Sequence, residues 1–144
     1  MKIAALQLCA SDDPVSNLEL TLSMVQQAAE AGAQFVATPE VTNCVSSSRR
    51  HQTEVLALQE DDQTLAALCA SAPRLGVWIS IGSLALKLPD DERFTNRSFM
   101  IDPSGQIVAQ YDKIHMFDVT LSETEQYRES DGYRAGDHAV IADT

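Results

Sequence analysis

Two ionisable residues occupy positions from which they could act on a bound molecule. Glu40 follows the apolar residues 34–38 after one proline, so its carboxylate is expected at the carboxyl end of a parallel strand, where ligand crevices form in α/β sheets. Such a carboxylate can be a general base, or it can be a solvated loop residue. Lys113 lies within residues 111–118, where polar and large apolar residues alternate as they do on a strand. There it is either an edge residue or a cation directed at a site.

Several other chemistries lack the residues that they need. The histidines are too far apart in the sequence for a local metal motif: His51, His115 and His138. The sequence has no glycine-rich phosphate loop and no Gly-x-Ser-x-Gly nucleophile turn. Neither a metal ion nor a cofactor is therefore predicted. Cys44 follows Glu40 closely and could be a nucleophile, but a free cysteine is more often a small buried apolar residue.

Composition and charge limit the partners and the location. The 144 residues suit one domain, and 10 Lys and Arg against 21 Asp and Glu give a net charge of −11. This charge opposes binding to phosphate backbones and anionic lipids, so neither a nucleic-acid nor a membrane partner is expected. The odd number of cysteines, without a Cys-x-x-Cys pair, suits free thiols in a reducing compartment: Cys9, Cys44 and Cys69. A cytoplasmic location is therefore predicted.

The N-terminal part of the chain predicts a strand, a helix and a second strand. Residues 2–9 form a short apolar run, which is typical of a buried strand. Asp13 is predicted to cap a helix that starts at Pro14, carries apolar residues at helical spacing and ends at Gly32. Residues 34–38 form the next apolar run. A strand, a crossover helix and a strand in this order imply parallel neighbours with a right-handed connection.

The middle of the chain predicts two more helices and then antiparallel strands. The second of these helices is expected to begin after Asp62 and to end at Pro73. Residues 77–83 predict a third strand. Residues 84–88, 93–101 and 106–111 predict consecutive antiparallel strands, with a turn at Pro103-Ser104-Gly105 before the last of them. The expected fold class is therefore α/β with a mixed sheet.

The C-terminal part predicts a long loop and then a strand. Residues 119–138 are polar and contain glycines, which indicates a long loop of the kind that often has a function. The apolar residues 139–142 predict another strand. Because a buried strand needs a neighbour, the chain is expected to be either one structural unit or one half of a larger one.

Three segments of the sequence resemble the carbon-nitrogen hydrolase (nitrilase) superfamily. They are residues 2–8 (KIAALQL), 37–40 (ATPE) and 111–118 (YDKIHMFD), of which the last is the most specific and is similar to the Nit-type amidase branch. The resemblance covers residues 1–144 and includes Arg128-Glu129-Ser130 and Gly136. It implies a four-layer α-β-β-α sandwich, of which this chain supplies about the first half.

The resemblance also implies a Cys-Glu-Lys catalytic set that acts through a thioester. Matched residue by residue, Glu40 corresponds to the general base and Lys113 to the cation that stabilises the tetrahedral intermediate. Glu129 corresponds to the second glutamate often found beside this lysine. In the family the nucleophilic cysteine lies on the strand that follows residues 139–142, and no cysteine of this chain matches it. The nucleophile is therefore expected beyond Thr144, and the isolated chain is expected to be inactive.

The substrate implied by the resemblance is a small amide. It is either an ω-amide of a dicarboxylic acid or a deaminated peptide amide. A carboxylate on such a substrate needs a basic contact, for which the sequence offers four unranked candidates: Arg49, Arg50, Arg128 and Arg134.

Two functions are compatible with these observations. One is a carbon-nitrogen hydrolase with amidase activity, for which Glu40 and Lys113 are expected at the same end of the sheet with their side chains directed into one cleft. The other is a non-catalytic fragment or interaction module that pairs with itself or with a partner chain through exposed strand edges. A homodimer or larger homo-oligomer is the expected assembly.

Overall fold

Three parallel strands form the N-terminal side of the central sheet. The computed structural model describes residues 1–122 and 124–144. Strand β1 (Ile3–Ala5) pairs with β2 (Phe35–Ala37), and β2 pairs with β3 (Trp78–Lys87), in both cases in parallel. This arrangement confirms the predicted order of strand, helix and strand, although β1 is shorter than the apolar run at residues 2–9.

Helix α1 (Pro14–Glu30) connects β1 to β2 and begins at the predicted residue. The Asp13 carboxylate accepts a hydrogen bond from the Val15 N–H at 3.0 Å. Pro14 occupies the first helical position, where its missing N–H leaves no helical hydrogen bond unmade. Gly32, at φ +86°, then allows the sharp change of direction that leads into β2.

A second helical connection leads from β2 to β3. It contains α2 (Arg49–Val55) and α3 (Gln63–Leu75). As predicted, Asp62 is the N-cap of α3, because its carboxylate accepts a hydrogen bond from the Leu65 N–H at 2.8 Å. Within the described ranges of the chain, no helix has both the length and the apolar character needed to cross a bilayer.

The prediction that Pro73 ends α3 is wrong. The helix continues to Leu75, and the left-handed Gly76 then closes it. Proline inside a helix leaves the carbonyl four residues earlier without its usual donor, which here is the carbonyl of Cys69. That oxygen faces Gly105, where an added Cβ would come within 2.5 Å of it. The β4–β5 turn therefore packs closely on the carbonyl that Pro73 leaves without its usual donor.

The sheet becomes antiparallel at β3. Strand β4 (Phe94–Ile101) pairs with β3 and β5 (Ile107–Asp112) pairs with β4, so the five-stranded sheet has the order β1-β2-β3-β4-β5. The turn at residues 103–105 joins β4 to β5 as predicted. The prediction of a separate strand at residues 84–88 is wrong. Strand β3 runs on from Trp78 to Lys87 because a bulge between Ile81 and Leu84 absorbs the change of register.

Helices α1 and α3 bury the apolar core against the sheet. Val25 of α1 and Leu68 of α3 are fully buried in one cluster with side chains of the strands: Val36, Ile79, Ile81 and Ile101. Complete burial of such a side chain stabilises the fold by roughly 1.5–3 kcal/mol. The strands that lead to the candidate site are therefore anchored by the core.

The C-terminal part departs from the sequence predictions in three places. Residues 111–118 are not one strand, because β5 ends at Asp112 and β6 (Asp118–Thr120) begins only after an irregular stretch. The predicted loop at residues 119–138 contains the hairpin of β6 and β7 (Gln126–Arg128), followed by a 3₁₀ turn at Glu129–Asp131.

The prediction of a strand at residues 139–142 is also wrong for the described chain. Val140 and Ala142 border a shallow cavity together with Met100 of β4 and Ala109 of β5. This segment therefore lies beside β4 and β5 without forming a strand in the described chain.

Candidate active site

Glu40 lies on a turn just beyond the end of β2. The turn holds Val41 at φ +50°, a left-handed conformation that costs a residue with a Cβ about 1–2 kcal/mol. Two hydrogen bonds offset this cost. The Val41 N–H donates to Ser83 Oγ at 2.8 Å, and the Thr42 N–H donates to the Ser83 carbonyl at 2.9 Å. The backbone that carries Glu40 is therefore bonded to the bulge of β3.

Gly82, in the same bulge, packs directly against this turn. A Cβ at Gly82 would come within 2.5 Å of the Pro39 carbonyl oxygen and would also collide with the Thr38 carbonyl. The Gly82 N–H donates to Thr38 Oγ1 at 3.2 Å. The absence of a side chain at this position permits the close approach that determines where Glu40 leaves the sheet.

Lys113 directly follows the last residue of β5. Its N–H donates to the Asn96 carbonyl on β4 at 2.9 Å, and its own carbonyl accepts from the Gly136 N–H at 2.9 Å. Gly136 also packs against Asp112 so closely that an added Cβ would overlap the Asp112 carbonyl. The backbone of Lys113 is therefore held between β4 and the C-terminal segment.

The ammonium group of Lys113 joins two carboxylates from distant parts of the chain. Its Nζ lies 3.0 Å from Glu40 Oε1, and 2.9 and 3.0 Å from the two oxygens of Glu129. Asn96 Nδ2 donates to the same Glu40 oxygen at 2.7 Å, and the Phe117 N–H donates to Glu129 Oε2. The structure thus brings all three candidate residues together at one end of the sheet.

The three side chains differ in exposure. Glu129 is 16 % exposed, Lys113 29 % and Glu40 58 %. Glu129 therefore anchors the cation from the protected side, whereas the Glu40 carboxylate remains accessible to a bound molecule.

The pKa shifts of Glu40 and Lys113 favour their charged forms. Partial burial raises the pKa of Glu40, but the hydrogen bonds from Lys113 and Asn96 outweigh burial and leave the pKa below its ordinary value. Burial lowers the pKa of Lys113, but the Glu129 and Glu40 carboxylates outweigh it and leave the pKa raised. At neutral pH the site therefore holds a carboxylate that can accept a proton beside a charged ammonium group.

Two adjacent clefts flank the Lys113–Glu129 ion pair. One, of about 570 Å³, is bordered by Lys113 and by Ser46, Ser47, Phe117, Tyr127, Arg128 and Glu129. The other, of about 410 Å³, shares Ser46, Ser47, Arg128 and Glu129 and extends to Cys44 and Tyr133. Both volumes suit a small organic molecule.

No cysteine of the described chain is hydrogen-bonded to Glu40 or Lys113. Cys9 is exposed, Cys69 lies on α3, and Cys44 is fully buried with its thiol 3.5 Å from the Asp12 carbonyl. Burial raises the pKa of Cys44, and the nearby Asp12 and Asp13 raise it further. The Cys44 thiol therefore stays protonated. Cys44 thus packs as a small buried residue. The described residues contain no group of three side chains placed to bind a metal ion.

Sequence analysis missed two residues that hold the Glu40 turn and its carboxylate. Asn96 is almost fully buried on β4 and donates to Glu40, and Ser83 bonds the backbone of Val41 and Thr42. Nothing in the local sequence distinguishes these two from other polar residues of their strands. Their positions follow from strand pairing, which also sets Asn96 opposite Ala85 of β3.

Comparison with known proteins matches nearly the whole chain to one family. The family model described as carbon-nitrogen hydrolase matches residues 2–144. Relatives of this chain include a deaminated glutathione amidase from Yersinia enterocolitica, 37 % identical over 147 residues. They also include an omega-amidase from Xenopus laevis, 25 % identical over 143 residues. Both alignments cover 99 % of this chain and 50 % of the relative. The chain thus spans about half the length of these curated relatives.

Solved structures show the same fold. The NitFhit protein of C. elegans is 26 % identical, with a TM-score of 0.87 over 96 % of this chain and 34 % of that protein. Nit3 of Saccharomyces cerevisiae, a nitrilase-superfamily member, gives a TM-score of 0.80 at 19 % identity over 100 % of this chain and 51 % of that one. The expected α/β fold of nitrilase type is therefore confirmed.

Proposed function

This chain belongs to the carbon-nitrogen hydrolase family, and on that basis we propose that the protein hydrolyses small carboxamides to a carboxylate and ammonia. One observation carries the proposal: the Lys113 ammonium group is held between the carboxylates of Glu40 and Glu129 at 2.9–3.0 Å. A proton acceptor beside a fixed cation is what thiol attack on an amide requires. The relatives named as amidases support this choice of reaction.

The first half of the reaction forms a thioester. A cysteine thiol gives its proton to Glu40, and its sulfur attacks the amide carbonyl carbon. The carbonyl electron pair moves onto oxygen, and the resulting oxyanion is stabilised by the Lys113 ammonium group. Glu40 then passes the proton to the amide nitrogen. The carbon–nitrogen bond breaks, ammonia leaves and the acyl group stays on sulfur.

The second half releases the product. Glu40 takes a proton from a water molecule, whose oxygen attacks the thioester carbon, and Lys113 stabilises the second oxyanion. When this intermediate collapses, the carbon–sulfur bond breaks, the carboxylic acid is released and the thiol regains a proton. The lowered pKa of Glu40 keeps it ready to accept a proton at neutral pH.

Glu129 acts as a positioning residue in this scheme. Its two oxygens bind Lys113 Nζ, and one of them also accepts from the Phe117 N–H. These contacts fix the direction of the ammonium group without leaving Glu129 free to accept the substrate's proton.

The proposed nucleophile is none of the three cysteines in these 144 residues. Cys44 is buried with a raised pKa, and neither Cys9 nor Cys69 borders the clefts beside Lys113 in the described structure. We therefore propose that the nucleophile lies outside residues 1–144. On this proposal the isolated chain does not turn over amides.

The proposal is tested by following ammonia release from succinamate and glutaramate. In the full-length natural protein, Glu40→Gln and Lys113→Met are expected to lower kcat by about 10²-fold or more, because each removes a group needed in both halves of the reaction. Glu19→Gln, on the exposed side of α1, is the matched control and should leave the rate unchanged. Full activity of Glu40→Gln would contradict the assignment. Ammonia release by the 144-residue chain would also contradict it, if a thiol reagent abolished that release.

Assembly and location are separate proposals with their own supporting observations. Ile3 and Leu121 are 60 % and 63 % exposed, and apolar surface of this kind favours association with a further chain. We propose a homo-oligomer, which light scattering of the full-length protein tests; a stable monodisperse monomer would refute it. The free cysteines support a cytoplasmic location, which fractionation of cells tests.

A further inference from the structure

Glu129, which binds the Lys113 ammonium group, follows a weakly supported part of the fold. It comes directly after β7, whose partner strand in the described chain is β6. Residues 126–128 of β7 are exposed along their whole length, and an isolated two-stranded hairpin is at best marginally stable in water. The hairpin alone is therefore a poor support for a carboxylate that must stay against Lys113.

The turn that follows β7 closes on the Glu129 backbone. The N–H groups of Gly132 and Tyr133 both donate to the Glu129 carbonyl at 2.9 Å. The Gly132 carbonyl in turn accepts from the Phe94 N–H, at the start of β4, also at 2.9 Å. The position of the Gly132 peptide therefore sets the position of the Glu129 backbone.

Arg49, the first residue of α2, supplies a second donor to the Gly132 carbonyl. Its Nη1 donates to this oxygen at 2.7 Å, and its Nη2 donates to the Glu92 carbonyl at 3.0 Å. The same guanidinium group lies 3.9 Å from the centre of the Phe94 ring. Both lone pairs of the Gly132 oxygen are thus used. One planar group therefore joins the turn beyond Glu129 to the residues at the start of β4.

Helix α2 contacts the same turn at a second residue. Gln52 is almost fully buried, and its Nε2 donates to the Tyr133 hydroxyl at 3.2 Å. The Tyr133 ring meets the Phe94 ring edge-on, with 6.0 Å between their centres. Residues three apart lie on the same face of a helix, so Arg49 and Gln52 hold consecutive residues of the turn from one side of α2.

The contacts of Arg49 favour this link over a contact with substrate. Arg49 borders the cleft of about 410 Å³, as a residue that binds a substrate carboxylate would. Turning its guanidinium group into the cleft would break the hydrogen bonds to Gly132 and Glu92 and the contact with the Phe94 ring. Arg49 is therefore already engaged in the folded chain.

We propose that Arg49 is a positioning residue that fixes the Gly132 carbonyl and thereby holds Glu129 where its carboxylate directs the Lys113 ammonium group. This inference rests on the proposed amidase function, in which Lys113 stabilises the oxyanion. Arg49 acts through the turn and is not itself a catalytic residue. Loss of Arg49 should displace the ammonium group, whereas Glu40 keeps its hydrogen bond from Asn96.

Kinetics of succinamate hydrolysis by the full-length protein test the proposal. We expect Arg49→Met to lower kcat about tenfold and to change KM less than about twofold, because a displaced cation stabilises the oxyanion less than it should. Arg49→Lys should recover part of kcat, since its ammonium group can still donate to the Gly132 carbonyl but cannot also reach Glu92 in one plane. Arg49→Lys also replaces Arg49→Met if the latter does not fold.

Arg50→Met is the matched control on the same helix. Arg50 pairs with Glu54 at 3.0 Å, is 90 % exposed and borders neither cleft of the described structure. Its loss should change kcat less than about twofold. Equal losses in Arg49→Met and Arg50→Met would overturn the proposal. A raised KM with unchanged kcat in Arg49→Met would make Arg49 a substrate contact and would also overturn it.

Acetylation of Lys113, mapped by mass spectrometry, tests the inference without hydrolysis. Only the unprotonated amine reacts, and the Glu129 and Glu40 carboxylates raise the pKa of Lys113. If Arg49 holds Glu129 in place, Arg49→Met should lower this pKa and increase the labelling rate at about pH 9 by about threefold or more. Arg50→Met should not. Glu129→Gln gives the reference for complete loss of the contact, and the pH dependence of the rate separates a change of pKa from a change of access.

The two measurements distinguish failure of the inference from failure of the proposed reaction. Unchanged labelling of Lys113 in Arg49→Met would overturn the inference, even if the wild-type protein hydrolyses amides. Faster labelling in that variant, in a protein that hydrolyses neither succinamate nor glutaramate, would support the link from Arg49 to Glu129 and refute the amidase function alone.

Discussion

The Val41 N–H donates to the Ser83 hydroxyl at 2.8 Å, and this contact joins the turn that carries Glu40 to the bulge of β3. Val41 is the only non-glycine residue at positive φ in the described chain. A strained residue next to a candidate general base persists only where the surroundings hold it in place. Here Ser83 and Gly82 of β3 do so, and the position of Glu40 is therefore set by the sheet.

Ser83→Ala tests this link. The substitution removes the acceptor of the Val41 N–H, so we expect the free energy of unfolding to fall by about 1–2 kcal/mol. If the turn positions Glu40, kcat should fall more than KM rises. Chemical denaturation and amide hydrolysis by the full-length protein measure the two effects. Ser23→Ala on the exposed side of α1 should change stability by less than about 0.5 kcal/mol. Equal effects of the two variants would contradict the link.

Gly82→Ala should be far more damaging than Gly32→Ala. The new Cβ at Gly82 would meet backbone carbonyls of Thr38 and Pro39 that cannot move without displacing Glu40, so we expect a loss of about 3 kcal/mol or more, or failure to fold. Gly32 has open space around it and suffers only from its φ of +86°, which should cost about 1–2 kcal/mol. Denaturation midpoints compare the two. A Gly82→Ala protein as stable as Gly32→Ala would refute the close packing.

The charged groups of the site should stabilise the fold at intermediate pH and lose this effect at the two ends of the pH range. The pKa of Glu40 is lowered, so its contribution is present above its ordinary pKa of 4.5 and is lost as the pH falls through the lower folded value. The pKa of Lys113 is raised, so its contribution is present below 10.5 and is lost as the pH rises through the higher folded value. Unfolding measured against pH should therefore show a weaker acid dependence in Glu40→Gln and a weaker alkaline dependence in Lys113→Met. Profiles parallel to the wild type would contradict the ion pairs.

Thiol labelling should distinguish Cys44 from Cys9. Cys44 is fully buried and burial raises its pKa, so little thiolate forms. We expect Cys9, which is exposed, to react first, and Cys44 to react only as the protein unfolds. Mass mapping of labelled peptides from the full-length protein identifies the sites. Labelling of Cys44 at the same rate as Cys9 would contradict the assignment of Cys44 as a buried structural residue. Cys44→Ala is expected to retain amide hydrolysis.

The sequence by itself determined the parts of the fold whose signals are local. Asp13, Pro14 and Gly32 delimit α1, and Asp62 caps α3, because a cap or a glycine acts on the neighbouring turn of chain. The apolar runs likewise identified the strands of the sheet. The errors at Pro73 and at residues 139–142 have a different origin. Whether a proline is tolerated inside a helix depends on the segments that pack against that helix. Whether an apolar segment forms a strand depends on the strands that lie beside it.

Only the tertiary structure decided how the candidate site is assembled. Position and resemblance had identified Glu40, Lys113 and Glu129 one by one, but their contacts join residues 73 and 16 positions apart. The pairing of β2 to β5 brings Lys113 to Glu40, and the hairpin of β6 and β7 leads to Glu129. Strand pairing also brings in Asn96 and Ser83, which no local pattern marks. The four candidate arginines likewise differ only in the folded chain, where hydrogen bonds or ion pairs engage the guanidinium groups of Arg49, Arg50 and Arg134. The sequence determines the chemistry of each side chain, whereas the direction and availability of each group follow from strand register and packing.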